Sequence, residues 1–149
     1  MNFIIIYKNG GDILKIIYWS GTGNTEKMAE FIAKGIKESG KDSEVITVSN
    51  VNIDYILQED ILVLGCPAMG AEELESVEFE PFLESISDKV SGKKAVLFGS
   101  YGWGNGEWMD EFKEKVLSFG CTIPIEPLIV QYEPEEDQCI EFGKSISKL

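Results

Sequence analysis

The sequence predicts an α/β domain of three layers, with a five-stranded parallel sheet between two layers of helices, on three observations. Strand-like and helix-like periodicities alternate five times along the chain, the pattern of a parallel sheet built with right-handed crossovers. The strand candidates at 61–65 and 95–99 are uninterrupted apolar runs, which implies burial on both faces. A chain of 149 residues, 44% hydrophobic and 11% aromatic, is long enough for one substantial core and too short for two.

Residues 1–13 stand apart from this alternation and are expected to be an N-terminal extension ahead of a domain at 14–149. Phe3-Ile4-Ile5-Ile6-Tyr7 suits a short edge strand, but Lys8-Asn9-Gly10-Gly11-Asp12 follows it at once. The segment lacks the length and the cleavage site of a secretory signal. Gly10-Gly11-Asp12 can be encoded by a purine-rich ribosome-binding sequence and Leu14 by a leucine-type start codon, so translation is expected to begin at position 14.

The first strand is Lys15-Ile16-Ile17-Tyr18-Trp19. From Thr25 the spacing turns helical, with Met28, Ile32, Gly35 and Ile36 on one face and Gly40 as C-cap. Residues 45–48 form the second strand, Ile53, Ile56 and Leu57 mark a short helical segment, and 61–65 is the third strand. Pro81 suits the first turn of the next helix, whose buried stripe is Phe82, Leu83 and Ile86. The fourth strand, 95–99, leads through a glycine and aromatic loop to a helix marked by Met109, Phe112, Val116 and Phe119. The last strand, 123–131, contains Pro124 and Pro127 and therefore reads as an edge or a bulge. Cys139, Phe142 or Gly143, and Ile146 set the inner face of the final helix.

Composition excludes several functions. The formal charge of −13 opposes binding to nucleic acid or to an anionic membrane surface, and suits equally partner proteins with basic docking faces or solubility alone. No apolar run approaches the roughly 18 residues that span a bilayer. With no histidine, Ser-His and Cys-His catalysis are excluded. The three cysteines, Cys66, Cys121 and Cys139, lie far apart and form no CxxC, which suits a reduced cytoplasm.

One stretch carries chemistry. Ser20-Gly21-Thr22-Gly23-Asn24-Thr25 sits between a buried strand and a helix N-terminus, where unpaired N–H groups and the peptide dipole favour a negative charge by roughly 0.3–1 kcal/mol. Ser20, Thr22, Asn24 and Thr25 add side-chain donors, and Gly21 and Gly23 allow close approach of the backbone. The loop has neither the Lys-Ser/Thr of a nucleoside triphosphatase nor the three spaced glycines of a dinucleotide fold. Neutral donors alone suit a single phosphate.

Read with Tyr18-Trp19 before it and Glu26-Lys27-Met28-Ala29-Glu30 after it, the stretch resembles the flavin mononucleotide (FMN) phosphate loop of the flavodoxins, especially the short-chain clostridial kind. The resemblance runs from about Leu14 to the C-terminus, through Gly65-Cys66-Pro67-Ala68-Met69-Gly70, Phe79-Glu80-Pro81-Phe82 and Phe98-Gly99-Ser100-Tyr101-Gly102-Trp103-Gly104. It implies the strand order 2-1-3-4-5, which periodicity does not give, and a flavin beyond the carboxyl ends of the strands. Three loops would hold it: Ser20 to Thr25, Cys66 to Glu73, and Ser100 to Trp108. The resemblance gives the phosphate to Ser20, Gly21, Thr22, Gly23, Asn24 and Thr25. The ring falls to Pro67, Ala68, Met69, Gly70, Ala71 and Glu72 on one side and to Ser100, Tyr101, Gly102, Trp103 and Gly104 on the other, with Met69 and Trp103 on its two faces.

In the family the peptide after the Met-Gly pair turns its carbonyl toward flavin N5 on reduction, a movement that Gly70 permits at positive φ. Two positions depart from the clostridial pattern: Ala71 replaces an acid, and Pro67, with neither N–H nor hydroxyl, replaces a small hydroxyl residue. Trp19 and Trp108 are expected to pack at the sheet end and at the start of the fourth helix, and Cys66 to be a buried small residue.

The resemblance implies a low-potential one-electron carrier with non-covalent FMN, monomeric and not an enzyme, since the flavin does the chemistry. An NAD(P)H-dependent FMN reductase of the same fold is the alternative, but the chain has no spare segment for a second substrate pocket or dimer interface. A signalling receiver domain would need an acidic cluster after the first strand and an Asp ending the third, where Ser20 and Gly65-Cys66 stand. Glu72, Glu73, Glu75, Glu78, Glu107, Asp110, Glu111, Glu133, Glu135, Glu136 and Asp137 are expected to make the cofactor end strongly negative.

Overall fold

Five aliphatic segments pair in parallel in the computed structural model, which describes residues 13–149: β1 (Ile13–Tyr18), β2 (Asp42–Thr47), β3 (Ile61–Gly65), β4 (Lys94–Tyr101) and β5 (Leu128–Gln131). Their spatial order is β2-β1-β3-β4-β5, so the chain reverses direction across the sheet between β1 and β3. The edge strand expected at 3–7 lies outside the described residues. Ile13 belongs to β1 and pairs with Asp42.

The inner strands alternate between two cores. Ile17, Leu62, Leu64, Ala95 and Leu97 face one, with α3 (Phe79–Ile86), α4 (Glu107–Ser118) and the short α2 (Ile53–Ile56) against them. Ile16, Tyr18, Val63, Val96 and Phe98 face the other, covered by α1 (Asn24–Glu38) and α5 (Glu136–Ser147). This burial on both faces is what the uninterrupted apolar runs require.

Helices α1 and α5 meet at two glycines. A Cβ on Gly35 would stand 2.1 Å from the Ile140 carbonyl oxygen, and one on Gly143 would stand 2.2 Å from that of Ile32. Backbone packs on backbone there, and neither position accepts a side chain without parting the helices.

β1 runs from Ile13 to Tyr18 rather than from Lys15 to Trp19, and three further strands depart from the sequence reading. β4 continues through Ser100 and Tyr101, because Ala68 N–H donates to Ser100 O (3.0 Å) and Tyr132 N–H to Tyr101 O (2.7 Å), which extends the pairing past Gly99. β5 begins only at Leu128: Thr122 bridges to Lys94, and the Pro124 to Pro127 stretch then leaves the ladder. β2 starts earlier, at Asp42, and ends at Thr47, where a 3₁₀ turn takes Val48. Lys15, at the head of the apolar run, is 1% exposed; its ammonium pairs with the buried carboxylate of Glu59 and lies 4.2 Å from the Tyr55 ring centroid. Removing one partner of such a pair strands a buried charge, at a cost of about 3–5 kcal/mol.

Candidate cofactor site

The carboxyl ends of β1, β3 and β4 open on the three expected loops. The first is bound into the sheet by Trp19 N–H, which donates to Gly65 O (3.0 Å). Gly23, at φ +102°, is the N-cap of α1 and supplies the left-handed step into the helix. The Ser20 hydroxyl oxygen accepts from Gly23 N–H (3.1 Å) and Glu26 N–H (3.3 Å), holding the loop in shape. Among the described residues, the N–H groups of Thr22, Asn24 and Thr25 have no acceptor, as expected for a first helical turn that faces a ligand. The Thr25 side chain points inward: it is 1% exposed, and its hydroxyl is 2.9 Å from that of Ser100, joining α1 to β4 beneath the loop.

The second loop is a tight turn. Met69 and Glu73 exchange backbone hydrogen bonds (2.7 and 2.9 Å) around Gly70-Ala71-Glu72, with Gly70 at φ +46° and Glu72 at φ +60°. Glu72 aims its carboxylate across to the third loop, where Oε1 accepts N–H from Asn105 (2.8 Å), Gly106 (2.8 Å) and Glu107 (3.0 Å), the donors at the start of α4. Gly104 leaves room for it, since a Cβ there would stand 2.4 Å from Glu72 Cδ. Glu75, 6% exposed, does the same for α3, accepting from Val77, Glu78 and Phe79 at 2.7–2.9 Å. Cys66 is fully buried, and burial pushes its thiol up to about 12.

The third loop separates its two tryptophans. Trp108 is fully buried, packs at a tilt against Tyr101 (centroids 5.5 Å apart) and donates Nε1–H to Cys66 O (2.9 Å), at the head of α4 as expected. Trp103, between Gly102 and Gly104, is 77% exposed.

These loops enclose a groove of ≈ 320 Å³ lined by Trp19, Gly21, Thr22, Asn24, Pro67, Ala68, Met69, Ser100, Tyr101, Gly102 and Tyr132. A smaller hollow of ≈ 160 Å³ adjoins it at Ala68 and Gly102 and is bordered by Gly70, Glu72, Trp103 and Gly104. Ser20, Gly23, Thr25 and Ala71 line neither. Two lining residues escaped the sequence reading. Trp19 is held by its Nε1–H to Glu78 (2.9 Å) and lies over Gly21, where a Cβ would meet its ring at 3.0 Å. Tyr132 follows β5, and the rule that ligands sit beyond strand ends could have found it had the fifth strand been counted.

The site fits FMN. Its end at the α1 N-terminus offers free N–H groups, the Thr22 hydroxyl and the Asn24 amide with no cation, a set that suits a monophosphate held by neutral donors. Its other end offers glycine backbone and an exposed indole to a flat ring.

The flavodoxin family profile matches residues 16–143. The flavodoxin of Clostridium beijerinckii is 64% identical over 138 residues, covering 91% of this chain and all of that one. The flavodoxin of Megasphaera elsdenii is 43% identical over 136 residues, covering 91% and 99%. The solution structure of two-electron reduced Megasphaera elsdenii flavodoxin superposes with a TM-score of 0.85 at 45% identity, over 91% of this chain and 99% of that one. With five parallel strands in the order 2-1-3-4-5 and a groove whose donors suit a flavin phosphate, the chain belongs to the flavodoxin family, the electron carriers that work through bound FMN.

Proposed function

We propose that the groove is where this carrier holds its FMN, with the phosphate on Ser20 to Thr25, the ribityl chain along Pro67-Ala68 and Ser100 to Gly102, and the ring between the Met69 turn and Trp103. The observation that carries this reading is that residues from all three loops border a single groove, with a donor-rich, uncharged end at the α1 N-terminus. Bound there, the flavin supplies one-electron redox chemistry. The chain supplies first-turn N–H groups and the Thr22 and Asn24 side chains to the phosphate. Thr25 and Ser100, through their shared hydrogen bond, brace the loop from below. The Glu72 clamp fixes the distance between the Met69 turn and the Trp103 loop, and the aromatic walls keep water from the ring.

The same face would dock redox partners that carry basic surfaces. Glu73, Glu107, Asp110, Glu111, Glu133, Glu135 and Asp137 are exposed around it, while Trp103 and Val77 (78% exposed) present apolar contact. Some of that charge is already answered, because Glu133 meets Lys27 (3.2 Å) and Glu136 meets Lys34 (2.8 Å) at the surface. We place the protein in the cytoplasm as a monomer, with three free cysteines suited to a reducing compartment.

Anaerobic redox titration of the FMN-reconstituted protein tests the reading. Two resolved one-electron potentials are expected, together with electron transfer to a basic partner that slows as salt rises. Failure to retain FMN, or reduction only in one two-electron step by NAD(P)H, would sink it.

A further inference from the structure

At the end of β5 the chain turns through Tyr132 at φ +61°. A glycine would take this left-handed conformation without strain, whereas a bulky L-residue is disfavoured there. Such residues persist where their surroundings over-determine them, and they cluster at ligand sites. Here the chain entering the turn is pinned twice: Tyr132 N–H donates to Tyr101 O (2.7 Å), and Gln131 Nε2 donates to Gly102 O (2.9 Å). Tyr101 and Gly102 themselves line the groove, so the backbone beneath Tyr132 is fastened to the groove wall.

The ring behaves differently from the backbone. It borders the groove and passes 3.5 Å from where a Gly102 Cβ would stand, yet the residue is 59% exposed and its packing offsets little of the strain. Of the other aromatic residues that line the groove, Trp19 is fastened through Glu78 and Tyr101 packs against Trp108. The groove therefore has two aromatic side chains held in advance and a third whose backbone is fixed while its ring stays largely exposed.

We propose that Tyr132 is a further cofactor-holding residue, whose ring covers the ribityl-phosphate part of bound FMN and slows its release. This rests on the FMN reading given above. A phenol suits the task, since its apolar face excludes water and its hydroxyl can donate to a sugar or phosphate oxygen.

The test compares Tyr132→Gly and Tyr132→Phe with the unsubstituted protein, following FMN release by the recovery of flavin fluorescence and the thermal midpoint of the cofactor-free protein. Tyr132→Gly should release FMN about tenfold faster, the size of one lost aromatic contact. Its cofactor-free midpoint should be unchanged or higher, because the strain is gone. Tyr132→Phe separates the ring, if release stays slow, from the hydroxyl, if release quickens as in the glycine variant. If the glycine variant fails to fold, Tyr132→Asn, which also tolerates the left-handed region, carries the same comparison. FMN release from the folded glycine or asparagine variant at the unsubstituted rate would overturn the inference and leave the site reading standing. Failure of the unsubstituted protein to bind FMN would overturn both.

Discussion

Replacing Glu72 by alanine tests whether the two loops flanking the ring site are fastened before any cofactor arrives. In the folded chain one carboxylate oxygen accepts three N–H groups at 2.8, 2.8 and 3.0 Å, at the positive end of α4. A hydrogen bond to a charged acceptor contributes about 1.5–3 kcal/mol, and a negative charge at a helix N-terminus about 0.3–1 kcal/mol. The bonds to Asn105 and Glu107 are at the surface, where water would replace much of what is lost; the bond to Gly106 is partly buried. The balance is a loss of about 2 kcal/mol, or a fall of about 4–8 °C in the midpoint of the cofactor-free protein. Glu72→Gln, which keeps an acceptor but not the charge, should lose about half as much. Thermal denaturation and amide hydrogen exchange at 105–107 measure the effect, and titration with FMN and with riboflavin adds a second readout. Both ligands should weaken alike, because the clamp acts at the ring end. A midpoint within about 1 °C of the unsubstituted value, with exchange at 105–107 unchanged, would refute the clamp.

Three further expectations follow from the same contacts. Thr22→Ala should weaken FMN binding by about 0.5–1.5 kcal/mol while riboflavin, which lacks the phosphate, is scarcely affected; equal losses would show that the loop does not touch phosphate. Gly143→Ala forces a methyl group into the Ile32 carbonyl and should cost about 1–3 kcal/mol in urea denaturation, with FMN affinity in the folded protein unchanged. Burial raises the Cys66 thiol to about 12 and that of Cys139 to about 11; burial and then the hydrogen bond to Glu26 raise Tyr18 to about 12. The unfolded chain gives up these protons first, from about pH 8.5 for Cys and 10 for Tyr. Their stabilising effect is therefore complete below about pH 8.5 and is lost as pH rises toward 12. Urea midpoints measured from pH 8 to 11 should fall, and fall less in Cys66→Ala; a flat profile would contradict the assignment.

The sheet was legible because its signal is local: Ile61–Gly65 is apolar at every position, and the two-sided burial of β3 follows directly. The extent of β4 was not, because Ser100 and Tyr101 are held in the ladder by Ala68 and Tyr132, residues far away in sequence. The donor character of Ser20 to Thr25 could be read from residue types, but the allocation of those donors could not. Thr25 turns inward to Ser100, 75 positions away, and Ser20 spends its oxygen on Gly23 and Glu26. Likewise Glu72 reads in sequence as charge and as a ring-site residue, whereas it caps α4 from a loop 33 to 35 positions away. That choice depends on which helix end the fold brings within reach, and spacing along the chain does not encode it; Glu75, by contrast, caps α3 from two to four residues ahead, a local pattern.

The glycine seam between α1 and α5 bears on how the chain is made. Gly35 and Gly143 are 108 positions apart, so at a synthesis rate of about 5–20 residues per second the α1 side of the seam waits roughly 5–20 s for its partner. During that interval α1 can already lie on β1, but the strip that will meet α5 stays open. An ordinary helix contact would leave leucine or isoleucine side chains waiting, a ready surface for chaperones and for other nascent chains. This strip carries bare helical backbone at Gly35 in place of a large apolar side chain. Ribosome-bound chains stalled before α5 should therefore stay soluble, and Gly35→Leu chains stalled at the same point should recruit chaperone or aggregate; equal behaviour of the two would remove this role from the seam.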